Sequence, residues 1–153
     1  MCHTAYIGIG SNIGDRHAII RRAVTAIMSS IDSAACVSDP YESPAWGYDS
    51  PNTYINICVA ARTPMSPLAL FEELQAIERS ISPAPHRAPD GTYIDRAIDI
   101  DLIAVDDVVF DTPALTLPHP RMHLRPFVLV PMAQIASQWR HPVLGKSILD
   151  LLD

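Results

Sequence analysis

The chain has 153 residues, of which 48% are apolar and 18% are charged. This length and composition can support one hydrophobic core, so we expect a single domain over residues 1–153. The net charge of −6 does not favour a nucleic acid or an anionic membrane, and we expect neither as a partner. We see no apolar run of the roughly 18 to 20 residues that a membrane span needs and no signal-peptide pattern, and therefore expect a cytoplasmic protein.

The first half of the chain predicts a strand, a helix and two more strands. An apolar run at 4–9 is followed by turn residues, and a helical apolar stripe extends over 15–33, capped by the aspartate at its start. Further strands are expected at about 35–41 and 54–61. The loop between them, 42–52, is long, and such loops in compact domains are more often functional than idle.

The second half predicts a helix, a long loop and another strand. Ser66 and Pro67 are typical of a helix start, and prolines end this helix before a loop at 82–93. The remaining predicted elements are a strand at 97–105, a hairpin into 108–110, and helices at 126–135 and 146–152. This order is typical of an α+β fold in which a ferredoxin-like antiparallel sheet carries helices on its faces.

Three glycines in and after the first apolar run, Gly8, Gly10 and Gly14, superficially suggest a dinucleotide-binding fingerprint. The third glycine comes one place late and the surrounding elements predict an antiparallel sheet, so we interpret the run as a bend after the first strand. The sequence also lacks the P-loop motif and the protein-kinase motifs, which excludes both of those classes.

Two acids interrupt the apolar strand predicted at 97–105. Because side chains alternate along a strand, Asp99 and Asp101 should share one face while Ile100 and Leu102 point into the core. Neighbouring carboxylates on a half-buried face repel each other unless a cation compensates, and Mg²⁺ prefers oxygen ligands. The pair is therefore a candidate magnesium site, and the alternative is an ordinary polar face on a solvated strand.

Basic residues lie close to the acid pair in the sequence. Arg96 precedes the pair, and four more basic residues follow the predicted hairpin: His119, Arg121, His123 and Arg125. Acids that hold a metal, with arginines for the remaining negative charge, are what triphosphate transfer requires. Guanidinium groups suit this task because each can bind two phosphate oxygens at once.

Several separate motifs occur in one order along almost the whole chain. They are AYIGIGSN at 5–12, YIN at 54–56, QAIE at 75–78, DRAIDID at 95–101, LPHP at 117–120, RPF at 125–127, and Pro131. In these motifs the chain resembles the 6-hydroxymethyl-7,8-dihydropterin pyrophosphokinases of folate biosynthesis. The resemblance implies transfer of pyrophosphate from ATP to the hydroxymethyl group of the pterin, with release of AMP.

The same resemblance implies roles for particular residues. Asp99 and Asp101 would bind two Mg²⁺ ions, and Arg87 and Arg96 would join them in catalysis. The implied ATP-binding residues are Gln75, Glu78, Arg87, Arg96, Ile100, His119 and Arg125. The implied pterin-binding residues are Ser43, Pro44, Trp46, Tyr54, Asn56, Tyr93 and Phe127. Aromatic faces and an amide suit a flat ring with donors and acceptors along its edge.

Two stretches depart from the family pattern. Where members commonly carry Gly-Arg-x-Arg after the helical glutamate, this chain has SISPAP at 80–85, and we expect Arg87 to supply the phosphate contact. The Gly-Pro that often precedes the central arginine is Ile94-Asp95 here, and Tyr93 stands where many members have Trp. We hypothesise that the loop at 82–91 is a lid that excludes water.

The residues alone leave two other functions open. The acid pair would also serve a metal-dependent nucleotidyl transferase or phosphohydrolase, and the fold would also suit a non-catalytic sensor that binds a small molecule. For the pyrophosphokinase, the expected partners are ATP and hydroxymethyl-dihydropterin, and the expected state is a monomer or weak dimer.

Overall fold

The computed structural model describes residues 2–83, 88–90, 92 and 94–153. The strands are β1 (His3–Ser11), β2 (Cys36–Val37), β3 (Tyr41–Ser43), β4 (Tyr54–Thr63), β5 (Asp99–Val105), β6 (Phe110–Asp111) and β7 (Thr116–Leu117). The helices are α1 (Arg16–Ser30), α2 (Pro67–Ile81), α3 (Pro126–Ile135) and α4 (Ile148–Leu152), with a 3-10 turn at Met122–Leu124. In this part of the chain, none of the helices combines the length and hydropathy that a membrane crossing needs.

The main sheet is antiparallel throughout. Its strand order is β2-β4-β1-β5, and β3 pairs with β4 as well. Helices α1 and α2 pack together, and α3 packs against β4. The predicted α+β fold, a ferredoxin-like antiparallel sheet with helices on its faces, is confirmed.

The edge strand expected at 35–41 is divided into two short pieces. β2 pairs with β4 at Val59, whereas β3 pairs with the first residues of β4, from Tyr54. Between the pieces, the side-chain hydroxyl of Ser38 accepts the Cys58 N–H at 2.9 Å, and Pro40 has no N–H to donate. The Ser38 N–H still donates to the Cys58 carbonyl at 2.9 Å, so the ladder is interrupted at Asp39, whose N–H donates to the Gln134 side chain, and at Pro40.

The hairpin predicted from β5 into 108–110 is wrong, because β6 pairs with β7. After β5 the chain turns tightly, with the Val108 N–H donating to the Val105 carbonyl at 3.0 Å and Asp106 at a positive φ of 45°. Phe110 then packs against the hydrophobic core. With this ring packed against the core, the segment pairs with β7 and not with β5.

Both long helices begin at the residues that the sequence predicts. The Asp15 side chain accepts the Ala18 N–H at 3.2 Å, and the Ser66 hydroxyl accepts the Ala69 N–H at 3.2 Å. Pro67 occupies the first turn of α2, where its missing N–H has no partner to lose. These caps fix where α1 and α2 start, and hence which of their faces meets the sheet.

The two faces of the sheet differ in what covers them. On the first, which we call the closed face, the side chains of Ile7, Ile57 and Ile100 pack in one core with α1 and α2. On the second, the open face, Cys58 and Ile103 pack in a smaller core with α3 and α4. The rest of the open face carries the candidate site.

Candidate active site

A pocket lies on the open face, where β1, β4 and β5 meet the loop after β3 and the start of α3. Its volume is about 630 Å³ including the part open to solvent, which suits a small molecule. The predicted site residues that line it are Ser43, Pro44, Trp46, Tyr54, Asn56, Arg96, Asp99, Asp101, Arg125 and Phe127. The pocket therefore brings predicted pterin-binding residues together with the acid pair and two arginines.

Two glycines form the floor of this pocket. Across the sheet, Gly10 of β1 lies between Asn56 of β4 and Asp99 of β5. In the next row, Gly8 lies beside Asp101. A Cβ atom on Gly10 would lie 3.0 Å from the Asn56 Oδ1, which is tighter than nine in ten real Cβ contacts. The missing side chains leave an open path from the amide to the acids.

The glycine positions correct the sequence interpretation of a bend after the first strand. Gly8 and Gly10 lie within β1, in regular pairing with both neighbours. Gly14 does lie in the following turn, with a φ of 80° that glycine adopts without strain. The two earlier glycines are therefore required for space, and the third for backbone conformation.

The acid pair lies on one face of β5, as the alternation of side chains predicts. Asp99 and Asp101 both line the pocket, whereas Ile100 and Leu102 are buried in the core of the closed face. Ile98, which precedes the pair, is buried in the same core, at 2% exposure. Two carboxylates are thus held side by side at the edge of a rigid sheet.

Each acid has an arginine nearby. Nη1 of Arg96 lies 2.8 Å from Oδ1 of Asp99, and Nη1 of Arg125 lies 4.0 Å from Oδ2 of Asp101. Burial acts to lower the pKa of Arg96, but the negative charges nearby, Asp99 first among them, outweigh it and raise the pKa. Each acid thus lies within ion-pair distance of an arginine at the wall of one pocket.

An aromatic wall faces the floor. The rings of Trp46 and Phe127 have centroids 6.5 Å apart and are tilted by 59°. The guanidinium carbon of Arg125 lies 4.5 Å from the Trp46 centroid and 5.5 Å from that of Phe127. These cation–π contacts hold Arg125 between the aromatic wall and the acid pair.

The opposite end of the floor is polar and tightly held. Asn56 is 5% exposed, and its Nδ2 donates to the Ser43 hydroxyl at 2.9 Å and to the Tyr41 carbonyl at 3.2 Å. Its Oδ1 faces Gly10. Beside it, burial raises the pKa of Tyr54, so this phenol stays neutral. The amide oxygen is a fixed hydrogen-bond acceptor at the pocket floor.

Four predicted ATP-binding residues, Gln75, Glu78, Ile100 and His119, lie around the outer edge of β5 and do not line the pocket. Oε1 of Glu78, which is 8% exposed, accepts the Ile100 N–H at 2.8 Å. The His119 N–H donates to the Ile103 carbonyl at 2.7 Å. Gln75 is exposed one turn before Glu78 on α2. Helix α2 and the segment at His119 thus border this edge on the side away from β1.

His119 is a neutral imidazole at physiological pH. Burial is the main cause that lowers its pKa, to about 4, and the charge of Arg125 lowers it further. Its Nδ1 accepts the Arg121 N–H at 3.2 Å, which requires that nitrogen to be unprotonated. The side chain can therefore offer a ring N–H to a ligand without adding a charge.

Two predicted residues, Arg87 and Tyr93, lie outside the described residues, as does much of the predicted lid at 82–91.

Sequence analysis missed a cluster of hydrogen-bonded polar side chains beside the pocket. Its members are Asn12, Tyr48, Ser50, Asn52 and Asp95, which we call the Asp95 cluster. Tyr48 also lines the pocket. The one signal in the sequence is the Ile94-Asp95 pair in place of the Gly-Pro that many family members carry.

The donor set at the acid pair fits a divalent cation. Asp99 and Asp101 supply carboxylate oxygens, the ligands that Mg²⁺ prefers. Among the described residues, no group of three or more His, Cys, Asp or Glu side chains gathers in a way that could hold a metal alone. A cation here would take its other ligands from water and phosphate oxygens, which is how Mg²⁺ is commonly held beside nucleotides.

Comparisons with known proteins point to one family. The family model of 7,8-dihydro-6-hydroxymethylpterin-pyrophosphokinase matches residues 6–137. Proteins named 2-amino-4-hydroxy-6-hydroxymethyldihydropteridine pyrophosphokinase from Porphyromonas gingivalis and Synechocystis are 37% and 39% identical to this chain. The matches cover 90% and 99% of this chain, and 92% and 76% of the two relatives.

Solved structures of a longer protein have the same fold. Plasmodium falciparum HPPK-DHPS, wild type with pteroate, superposes with a TM-score of 0.74 at 13% identity, over 99% of this chain and 42% of that one. A structure described as HPPK-DHPS in complex with substrates gives a TM-score of 0.75 at 14% identity, over 97% and 42%. This chain thus spans less than half of those proteins, and at such identity the likeness shows the fold alone.

Proposed function

This chain belongs to the 7,8-dihydro-6-hydroxymethylpterin-pyrophosphokinase family, and on that premise we propose that it moves pyrophosphate from ATP to 6-hydroxymethyl-7,8-dihydropterin, releasing AMP, in folate biosynthesis. We propose further that the pocket on the open face binds the pterin and that the acid pair binds magnesium. The nucleotide would lie along the outer edge of β5.

The observation that carries this proposal is the row formed by Asn56, Gly10 and Asp99. A flat ring lying over Gly10 would meet the Asn56 amide with its polar edge and point its hydroxymethyl arm at the acids. The rings of Trp46 and Phe127 would cover its face. One row of the sheet thus presents an amide at one end and a carboxylate at the other, with no side chain between them.

The nucleotide side has the complementary chemistry. Gln75 and Glu78 lie on one side of the β5 edge and His119 on the other, while Arg96 and Arg125 reach the same acids from the pocket. A triphosphate placed beside Asp99 and Asp101 would exchange the present arginine–carboxylate contacts for arginine–phosphate contacts. The two guanidinium groups would then neutralise charge that develops during transfer.

The reaction requires one bond to form and one to break. The hydroxymethyl oxygen attacks the β-phosphorus of ATP, and the bond from that phosphorus to the oxygen bridging the α-phosphorus breaks. AMP leaves with the electron pair, and the hydroxyl proton is released to solvent. Asp99 and Asp101 would hold the cation, Asn56 and the aromatic wall would orient the alcohol, and Arg96 and Arg125 would stabilise the phosphates.

Magnesium, when bound at the acid pair, would supply neutralisation of phosphate charge and Lewis-acid polarisation. The family resemblance implies two such ions. Asp99 and Asp101 would hold these ions together with phosphate oxygens of the nucleotide and water.

We also propose that the enzyme acts in the cytoplasm. Cys2, Cys36 and Cys58 are free thiols, two of them exposed, which suits a reducing compartment.

The test of the proposed function is a product assay that resolves AMP from ADP. With ATP, Mg²⁺ and hydroxymethyl-dihydropterin we expect AMP and the pterin diphosphate in equal amounts, and no turnover with EDTA. Nucleotide hydrolysis without the pterin would favour a phosphohydrolase instead. Pterin or ATP binding that does not depend on Mg²⁺, without any turnover, would favour a non-catalytic sensor.

A further inference from the structure

One carboxylate beside the pocket receives four side-chain hydrogen bonds. Oδ1 of Asp95 accepts from Ser50 Oγ at 2.7 Å, from Asn12 Nδ2 at 2.8 Å and from Tyr48 Oη at 2.9 Å. Its Oδ2 accepts from Asn52 Nδ2 at 2.9 Å. Each of these is a short bond from a neutral donor to a charged acceptor, the strong class of hydrogen bond.

Three of the four donors belong to the loop that carries Trp46 of the aromatic wall. Tyr48, Ser50 and Asn52 follow Trp46 within a few residues. Tyr48 also lines the pocket, and its hydroxyl lies 3.2 Å from that of Tyr54 at the pocket floor. The carboxylate therefore holds the second half of this loop beside the pocket.

The fourth donor fixes the other side of the carboxylate. Asn12, 1% exposed at the end of β1, accepts the Arg96 N–H through Oδ1 at 2.7 Å, and its own N–H donates to the Arg96 carbonyl at 3.0 Å. The backbone on either side of Arg96 is thereby tied to β1. Because Asp95 directly precedes Arg96, its side-chain contacts and this backbone clamp act on the same short segment.

The carboxylate is ionised in this setting. Partial desolvation acts to raise the pKa of Asp95, but the hydrogen bonds from Ser50, Asn12, Tyr48 and Asn52 outweigh it and lower the pKa. A charged acceptor with four donors is strongly held, because each donor would need a water molecule as its new hydrogen-bond partner if the carboxylate were removed.

We propose that Asp95 is a positioning residue that holds two walls of the active site in place. One wall is the aromatic loop at 44–52, which would cover the pterin, and the other is Arg96, which lies beside Asp99. The proposal rests on the proposed function, since both walls are defined by the two substrates. Asp95 touches neither substrate in this scheme and acts through Tyr48, Asn52 and Arg96.

A group that sets both walls has a distinctive kinetic signature. Asp95→Ala releases the loop and loosens the segment before Arg96, so we expect the pterin KM to rise about tenfold or more and kcat to fall as well. Asn52→Ala removes one loop contact and leaves the Arg96 clamp intact, so we expect a higher pterin KM with kcat nearly unchanged. Asp49→Asn, an exposed acid in the same loop, is the matched control and should match the wild type.

A double-mutant cycle separates positioning from a general loss of stability. We expect Tyr48→Phe to weaken pterin binding about threefold, since its hydrogen bond to the charged Asp95 is lost together with its contacts to Asn12 and Tyr54. In the Asp95→Ala background the same change should have a clearly smaller effect, because the charged partner is already gone and only the contacts to Asn12 and Tyr54 remain to be lost.

Should Asp95→Ala not fold, Asp95→Asn serves instead: it keeps Oδ1 and turns an amide nitrogen towards Asn52.

The experiment measures kcat and both KM values from AMP formation, with pterin affinity by calorimetry and the melting temperature of each variant. A wild-type enzyme that forms no AMP would refute the proposed function. A wild-type enzyme that forms AMP, with Asp95→Ala unchanged in kcat and pterin KM, would refute only the role of Asp95. Fully multiplicative effects of Tyr48→Phe and Asp95→Ala would refute it as well.

Discussion

The closed and open faces are built by the same strands, and successive residues of each strand point to one face and then to the other. Ile7 and Gly8 are neighbours in β1, yet Ile7 is fully buried under the helices while Gly8 lies in the pocket floor. On β5, Ile100 and Asp101 divide in the same way. The period-two alternation of a strand lets one segment contribute to stability and to a ligand site at once.

Because the two faces receive different residues, their contributions should be separable by mutation. Side chains of the closed face fill space, so their loss should lower the free energy of unfolding. Residues of the open face leave space or carry charge there, so their alteration should change binding and turnover in a protein that remains folded.

The largest expected effect lies at the acid pair. Asp101→Ala should lower kcat by about a thousandfold or more, because a metal ligand is lost where phosphate charge develops. Its melting temperature should stay close to that of the wild type, since the side chain is 35% exposed. Asp107→Ala, an exposed acid in the turn after β5, is the control. Activity above a tenth of the wild-type value in Asp101→Ala would contradict the assignment.

A change on the closed face should have the opposite character. Ile7→Ala removes a fully buried side chain, and we expect the free energy of unfolding to fall by about 2–5 kcal/mol in urea titrations. Pterin KM and kcat per folded molecule should stay within about twofold of wild type, because the side chain points away from the pocket. A large change in KM at full folding would show that the two faces are coupled.

The smallest of the three effects is expected at the pocket floor. In Gly10→Ala the new Cβ would lie 3.0 Å from the Asn56 Oδ1 and 3.4 Å from Tyr54, so the amide must shift. We expect pterin affinity to fall about tenfold, roughly 1.4 kcal/mol, with a small change in stability. Gly8→Ala meets the flexible end of Ile103 at 3.3 Å and should weaken pterin binding less. Equal effects of the two changes would argue against a ring lying over Gly10.

The sequence is sufficient for features that follow from local rules. The caps at Asp15 and Ser66 and the shared face of Asp99 and Asp101 are set by residues close in the chain. Apolar and acidic residues alternate regularly at the start of β5, and this alternation alone predicts that both acids face the same side of the sheet.

Features that depend on distant partners cannot be predicted in the same way. The sequence predicts a turn at Gly10 and gives Gly8 no special role, because the space that the two glycines leave is visible only when Asn56 and Asp101 stand beside them. The predicted hairpin after β5 is wrong because burial of Phe110 decides where that segment goes. The bond from Glu78 to the backbone of β5 follows only once α2 is known to pack along that strand.

The aromatic loop leaves the sheet at Ser43 and returns at Tyr54, and these two residues are partners in the β3–β4 ladder. The base is reinforced by Arg16, whose Nη1 donates to the Thr53 carbonyl at 2.9 Å and lies 3.3 Å from Glu42. The sheet therefore fixes both ends of the loop two strands away from the acids, and the hydrogen bonds to Asp95 are what connect the residues between those ends to the segment beside Asp99.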